Sequence, residues 1–120
     1  MAGRGPAPKD PRDRARRNSS GIPMRFIESD PAPQPDLPAT MPDGSDWPEQ
    51  TRQWWAMWGS NPRTVDYHST DWAMLLDTAV IHARFWLGDS FVAGELRLRV
   101  AKHGATPPDR ARLRAPYAPP

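Results

Sequence analysis

The chain contains no cysteine, which excludes disulfides and thiolate metal sites and leaves the redox compartment open. No apolar run approaches the ~20 residues that span a bilayer. The basic residues near the N-terminus are not followed by an apolar core, so no signal peptide is expected and the protein reads as soluble and intracellular. Enzyme signatures are also missing. There is no Gly-rich phosphate loop and no G-x-S-x-G elbow. His68, His82 and His103 lack the H-x-x-x-H spacing of a helical zinc site and have no Cys partners. Asp77 and His82 stand five apart, on different parts of a helix face. No catalytic, metal or cofactor residue is assigned, and any catalysis is expected to reside in another protein.

What is abundant is proline and tryptophan. Nine of the 16 prolines precede residue 46. Between Met1 and Ser45 the large apolar residues (Met1, Ile22, Met24, Phe26, Ile27, Leu37, Met41) follow no helical or strand period, and such a stretch cannot offset its ordering entropy by burial. Residues 1–45 are therefore expected to form a disordered arm, with a folded domain at 46–114 and a Pro-rich tail at 115–120. All six tryptophans fall inside the expected domain. They either fill a small dense core or serve a subunit interface.

Charge is segregated along the chain. Residues 1–25 sum to +5, residues 26–50 to −6, residues 51–96 to −2 and residues 97–120 to +5. Two basic ends around an acidic middle suggest a polyanion, DNA or RNA; charged tails that merely keep a hydrophobic domain soluble give the same pattern. The candidate phosphate-binding residues are Arg4, Lys9, Arg12, Arg14, Arg16 and Arg17 on the arm, and Arg97, Arg99, Lys102, Arg110, Arg112 and Arg114 near the other end. Gly3-Arg4-Gly5-Pro6 lacks the double arginine of an AT-hook.

Periodicity points to an all-α domain of three helices and a short fourth. Asp46 and Glu49 have capping-box spacing with Pro48 in the first turn, although a start at Trp47 or Pro48 is equally allowed. Thr51, Trp54, Trp55 and Trp58 then share one face, and Gly59-Ser60-Asn61-Pro62 stops the helix. A second helix starts at Ser69-Thr70-Asp71 and keeps Trp72, Leu75, Leu76, Ala79, Ala83 and Trp86 in one stripe to Gly88. Met74, Ile81 and Phe85 widen its apolar surface, as in a central helix. Asp89 or Ser90 caps a third helix to about His103, ended by Gly104, although Leu96-Arg97-Leu98-Arg99-Val100 would also suit a strand. Thr106-Pro107-Pro108-Asp109 opens a short basic helix to Arg114. The turn Leu87-Gly88-Asp89-Ser90 would serve a helix-turn-helix or an ordinary helical hairpin. The tryptophans could stack on unpaired bases, but helical spacing favours packing.

Several blocks together resemble a known family. These are Met1-Ala2-Gly3-Arg4-Gly5-Pro6-Ala7-Pro8-Lys9, Ala15-Arg16-Arg17-Asn18, Trp47-Pro48, Trp54-Trp55-x-x-Trp58, and Thr70-Asp71-Trp72 through Leu75-Leu76-Asp77-Thr78-Ala79. With them go Glu95-Leu96-Arg97-Leu98-Arg99-Val100-Ala101-Lys102 and Gly104-Ala105-Thr106-Pro107 through Asp109-Arg110-Ala111-Arg112-Leu113-Arg114. In this order they are similar to small terminase subunits of actinobacterial phages and prophages. The resemblance implies a non-enzymatic, oligomeric, commonly ring-shaped adapter in the bacterial cytoplasm. It would bind double-stranded viral DNA and hand it to a large terminase subunit carrying ATPase and nuclease. It implies no cofactor and no membrane partner. Two positions depart from the pattern: Ala115-Pro116-Tyr117-Ala118-Pro119-Pro120 stands where relatives carry a longer charged tail, and His103 stands where an aromatic such as Phe is expected. The rival readings are a small transcription regulator using the same basic helices and a structural phage head protein; a nuclease is more distant, for want of an acidic cluster.

Overall fold

A computed structural model describes residues 22–119. The arm cations Arg4, Lys9, Arg12, Arg14, Arg16 and Arg17 lie outside the described residues. Within them the fold is all-α, as periodicity predicts. The helices are α1 (Glu49–Gly59), α2 (Ser69–Trp86), α3 (Ala93–Ala101) and α4 (Pro107–Arg112), with single 3₁₀ turns at Pro62–Thr64 and Ser90–Val92. The possible strand at residues 96–100 is helix.

The helix α2 is central and packs against both α1 and α3. Its stripe explains why: Trp72, Leu75, Ala79 and Ala83 are buried, with small residues in the C-terminal half letting neighbours approach. The stripe turns outward at its end, where Trp86 is half exposed, and Leu76 is only partly covered. From α1 come Trp55 and Trp58, and Trp55 meets Trp72 edge-on at 5.8 Å.

Local chemistry sets the helix ends. The Asp46–Glu49 capping box does not form. Trp47 is buried in the core and sits before a proline, which keeps its backbone out of the helical region, so α1 starts after Pro48 (ψ 145°). The Asp71 carboxylate accepts from the His68 N–H at 2.8 Å and fixes the start of α2. Asp89 accepts from Phe91 N–H and opens the turn that leads into α3. Thr106 and Asp109 form the expected capping box of α4.

Residues 32–41, placed in the arm by their proline content, lie against the helices. Met41 is buried, and Ala32 and Leu37 pack against the core. The attachment is polar and regular. Trp72 Nε1–H donates to Ala32 O at 2.9 Å, Trp55 Nε1–H to Pro35 O at 2.9 Å and Trp47 Nε1–H to Pro38 O at 2.8 Å. The accepting carbonyls recur every third residue, the repeat of a polyproline-type helix, whose backbone makes no hydrogen bonds of its own. Three of the four buried indoles thus gain a partner. Prolines suit such a strap because they keep it extended before it docks.

Candidate nucleic-acid interface

The six cations of the C-terminal half do not form one stripe. At about 100° per residue, Arg97 lies about 160° around α3 from Arg99. Arg99 and Lys102 border a groove between α3 and α2, opposite Met74 and Thr78, while Arg97 points elsewhere on the exposed surface. Arg99 is shared with Glu95, Nε to Oε1 at 3.0 Å. Both partners are solvated, so that pair holds its arginine only weakly. Arg97 and Lys102 have no ion pair among the described residues.

Beyond α3 the chain must turn sharply to bring α4 round. Gly104 does this at φ +73°, and a Cβ there would stand 2.5 Å from Arg63 Nε. The residue is therefore glycine for conformation and for space. Arg63 occupies that space to hold the joint: its Nε donates to His103 O at 2.9 Å and its Nη1 to Ala115 O at 3.3 Å. Sequence reasoning passed over Arg63, since nothing local marks an arginine in a loop as a brace between residues 40 and 52 positions away.

The α4 cations are unequal. Arg110 turns inward, its Nη1 donating to Gly104 O at 3.0 Å and its guanidinium lying 4.4 Å from the centre of the Tyr117 ring. Tyr117 is held in turn by its hydroxyl on Asn61 Oδ1 at 3.0 Å. Arg112 pairs with Asp109 at 2.6 Å but remains 70% exposed. Arg114 is exposed, has no ion pair among the described residues, and takes the left-handed conformation (φ +57°) where the helix ends. Hydrogen bonds from Thr106, first from its side chain, hold the Asp109 carboxyl below the usual range, so the acid stays ionised beside these arginines.

The histidines are built into the packing. His82 Nδ1 is 2.9 Å from Thr51 Oγ1, both residues buried, and the Trp54 ring stacks on the imidazole at 4.7 Å. Burial pushes His82 down to about 4. His103 fills its expected aromatic position as an aromatic would, edge-on to Trp58 at 5.9 Å. Its Nδ1 is 2.7 Å from Tyr67 Oη. Burial lowers His103 and pushes Tyr67 up to about 12, so near neutrality the ring is uncharged and the phenol keeps its proton.

Among the described residues no group of three His, Cys, Asp or Glu side chains is placed to hold a metal ion. No helix among them is long and apolar enough to cross a membrane. Among the described residues Arg97, Lys102, Arg112 and Arg114 are exposed and Arg99 partly so, which leaves the surfaces of α3 and α4 basic. A family model described as phage terminase small subunit matches residues 3–118. No curated protein and no solved structure matches the chain.

Proposed function

We propose, because the chain belongs to the phage terminase small subunit family, that it is the adapter of phage DNA packaging that binds viral double-stranded DNA and presents it to the large terminase subunit. The packaging role comes with the family. The binding and hand-over are our reading, and the segregated charge carries them: a basic end on each side of an acidic middle. In this reading Arg97, Arg99, Lys102, Arg112 and Arg114 contact phosphates from the folded end. Arg4, Lys9, Arg12, Arg14, Arg16 and Arg17 do so from the N-terminal end, and Arg110 serves mainly to shape the α4 joint. The working form is a homo-oligomer, a ring, in the host cytoplasm. It has no catalytic site of its own, and ATP hydrolysis and cutting fall to the large subunit.

The test is DNA retention as a function of salt. Each phosphate neutralised contributes a slope of about 0.9 in log affinity against log salt. Removing residues 1–21, or replacing Arg97 and Lys102 by Ala, is expected to flatten that slope while α1 to α4 stay folded. Comparison of packaging-site DNA with random duplex at one salt concentration reads specificity separately. If the intact oligomer retains neither DNA at roughly 50 mM salt, where such contacts are strong, the adapter reading fails and a structural head-protein role replaces it.

A further inference from the structure

Two uncovered apolar surfaces of matching charge lie near one another. The first is the groove of about 560 Å³ between α2 and α3. Met74 and Leu98 line it while 58% and 54% exposed, and the cations Arg99 and Lys102 line it with them. The second is the segment ahead of the docked strap, residues 23–28, which has no regular secondary structure. It carries Met24, 82% exposed, and Phe26, 89% exposed, and ends on Glu28. Phe26 opens the run of residues 26–50, which holds six acids and no Lys or Arg.

One tyrosine joins the two surfaces. Tyr67 O accepts from the Ala32 N–H at 2.8 Å, and Tyr67 Oη lies 2.7 Å from Nδ1 of His103, which lines the groove. Next to it, His68 Nε2 meets Ser29 O at 3.0 Å. The segment is thus tethered at Ser29, beside the end of the groove that His103 and Lys102 form.

We infer that residues 23–28 are a flap, open in this structure, that closes over the α2–α3 groove of the same chain and takes Arg99 and Lys102 away from phosphates. The competition with phosphates rests on the DNA reading above; the closure does not. Extended chain alternates its side chains, so Met24, Phe26 and Glu28 share one side. At about 3.3 Å per residue they span about 13 Å, and the α3 wall from Glu95 to Lys102 spans about 10 Å at 1.5 Å per residue. With Glu28 set on Lys102, next to the tether, Phe26 falls on Leu98 and Met74, and Met24 falls near Glu95.

Chemistry and tethering select this occupant. Phosphates gain nothing from Met74 and Leu98, whereas a segment of apolar side chains ending in a carboxylate uses the apolar and the cationic parts together. A tethered segment meets its site at an effective concentration on the order of millimolar. Its contact therefore need not approach the ~1,200 Å² that separate chains bury in a stable pair.

The experiment follows cleavage of the Arg25–Phe26 bond in the full chain by an arginine-specific protease, with mass spectrometry reading that bond and circular dichroism melts checking the fold. Leu98→Ser and Lys102→Glu change the groove and leave the cut sequence alone. Cutting follows the population of the open form, so both are expected to be cut about threefold faster than wild type. Glu28→Lys is expected to match them, and Glu28→Lys combined with Lys102→Glu, which restores opposite charges, to return near the wild-type rate. Equal rates in wild type, Leu98→Ser and Lys102→Glu overturn the flap. Protection that disappears on dilution gives the groove to a second copy and overturns closure within one chain. Duplex DNA at roughly 50 mM salt, where phosphate contacts are strong, is expected to raise the wild-type rate to that of Leu98→Ser. DNA that is retained and leaves the rate unchanged overturns the competition. Failure to retain DNA ends the DNA reading and the competition with it, while the cleavage rates still decide the closure.

Discussion

Near pH 7 the His82 ring is neutral, packed under Trp54 and bonded to Thr51. In the unfolded chain it takes a proton near pH 6.5, whereas burial holds off that proton until about pH 4 in the folded protein. Between these values the unfolded state binds more protons, so stability falls as pH is lowered through the window and levels off below it. The expected loss is about 2–3 kcal/mol between pH 7 and pH 4, measured by denaturant melts, and His82→Gln removes most of the slope. Adjacent leucines give a second check. Leu75 is fully buried and Leu76 only partly, so Leu75→Ala is expected to cost about 2–5 kcal/mol and Leu76→Ala clearly less. Equal melting temperatures for the two would misplace the buried face of α2. Among the buried indoles, Trp58 Nε1 has no hydrogen-bond partner among the described residues, whereas Trp72 Nε1 donates to Ala32 O. Trp58→Phe is accordingly expected to be milder than Trp72→Phe by about 1–2 kcal/mol in equilibrium unfolding.

The elements themselves were largely legible. The stripe from Trp72 to Ala83, the Thr106–Asp109 box and the Gly88 and Gly104 stops are local signals, and each lies where its spacing indicates. What was not legible depends on partners distant in sequence. Ala32, Pro35 and Pro38 look like an unfolded arm until Trp72, Trp55 and Trp47 are seen to donate to them. Tyr117 looks like a tail residue until Arg110 and Asn61 meet it. Of the candidate cations, residue type was readable and so was the i,i+3 pairing of Arg112 with Asp109, but Arg110 is claimed by Gly104 O and the Tyr117 ring, which only the turn of the chain brings close. One position in α4 is open to a direct test. Arg114 holds a left-handed conformation that costs a non-glycine residue roughly 1–2 kcal/mol, so Arg114→Gly is expected to raise stability by about 1 kcal/mol while weakening any phosphate contact made there. Gly104→Ala has the opposite sign, since it adds both strain and a collision with Arg63. A melting temperature unchanged by either substitution would count against this account of the α4 joint.

For the whole molecule, the C-terminal segment returns to α1's end and α4's flank through Tyr117, and so withdraws one cation from the basic surface. Tyr117→Ala is expected to release Arg110 and steepen the salt dependence of DNA retention by about one phosphate, with helix content unchanged; a flatter slope would mean that the tyrosine itself supports binding. The strap at the other side has a different consequence. Its three anchoring carbonyls belong to the backbone, which every amino acid carries, whereas the three donors are indole nitrogens, which only tryptophan has. Substitution tolerance should therefore be lopsided across the same hydrogen bonds. A saturation library scored for folded yield should accept most non-glycine residues at the exposed positions 35 and 38, small ones at 32, and few at 47, 55 and 72. Over long divergence such a strap can change its lettering almost completely and still dock, provided the tryptophans beneath it stay.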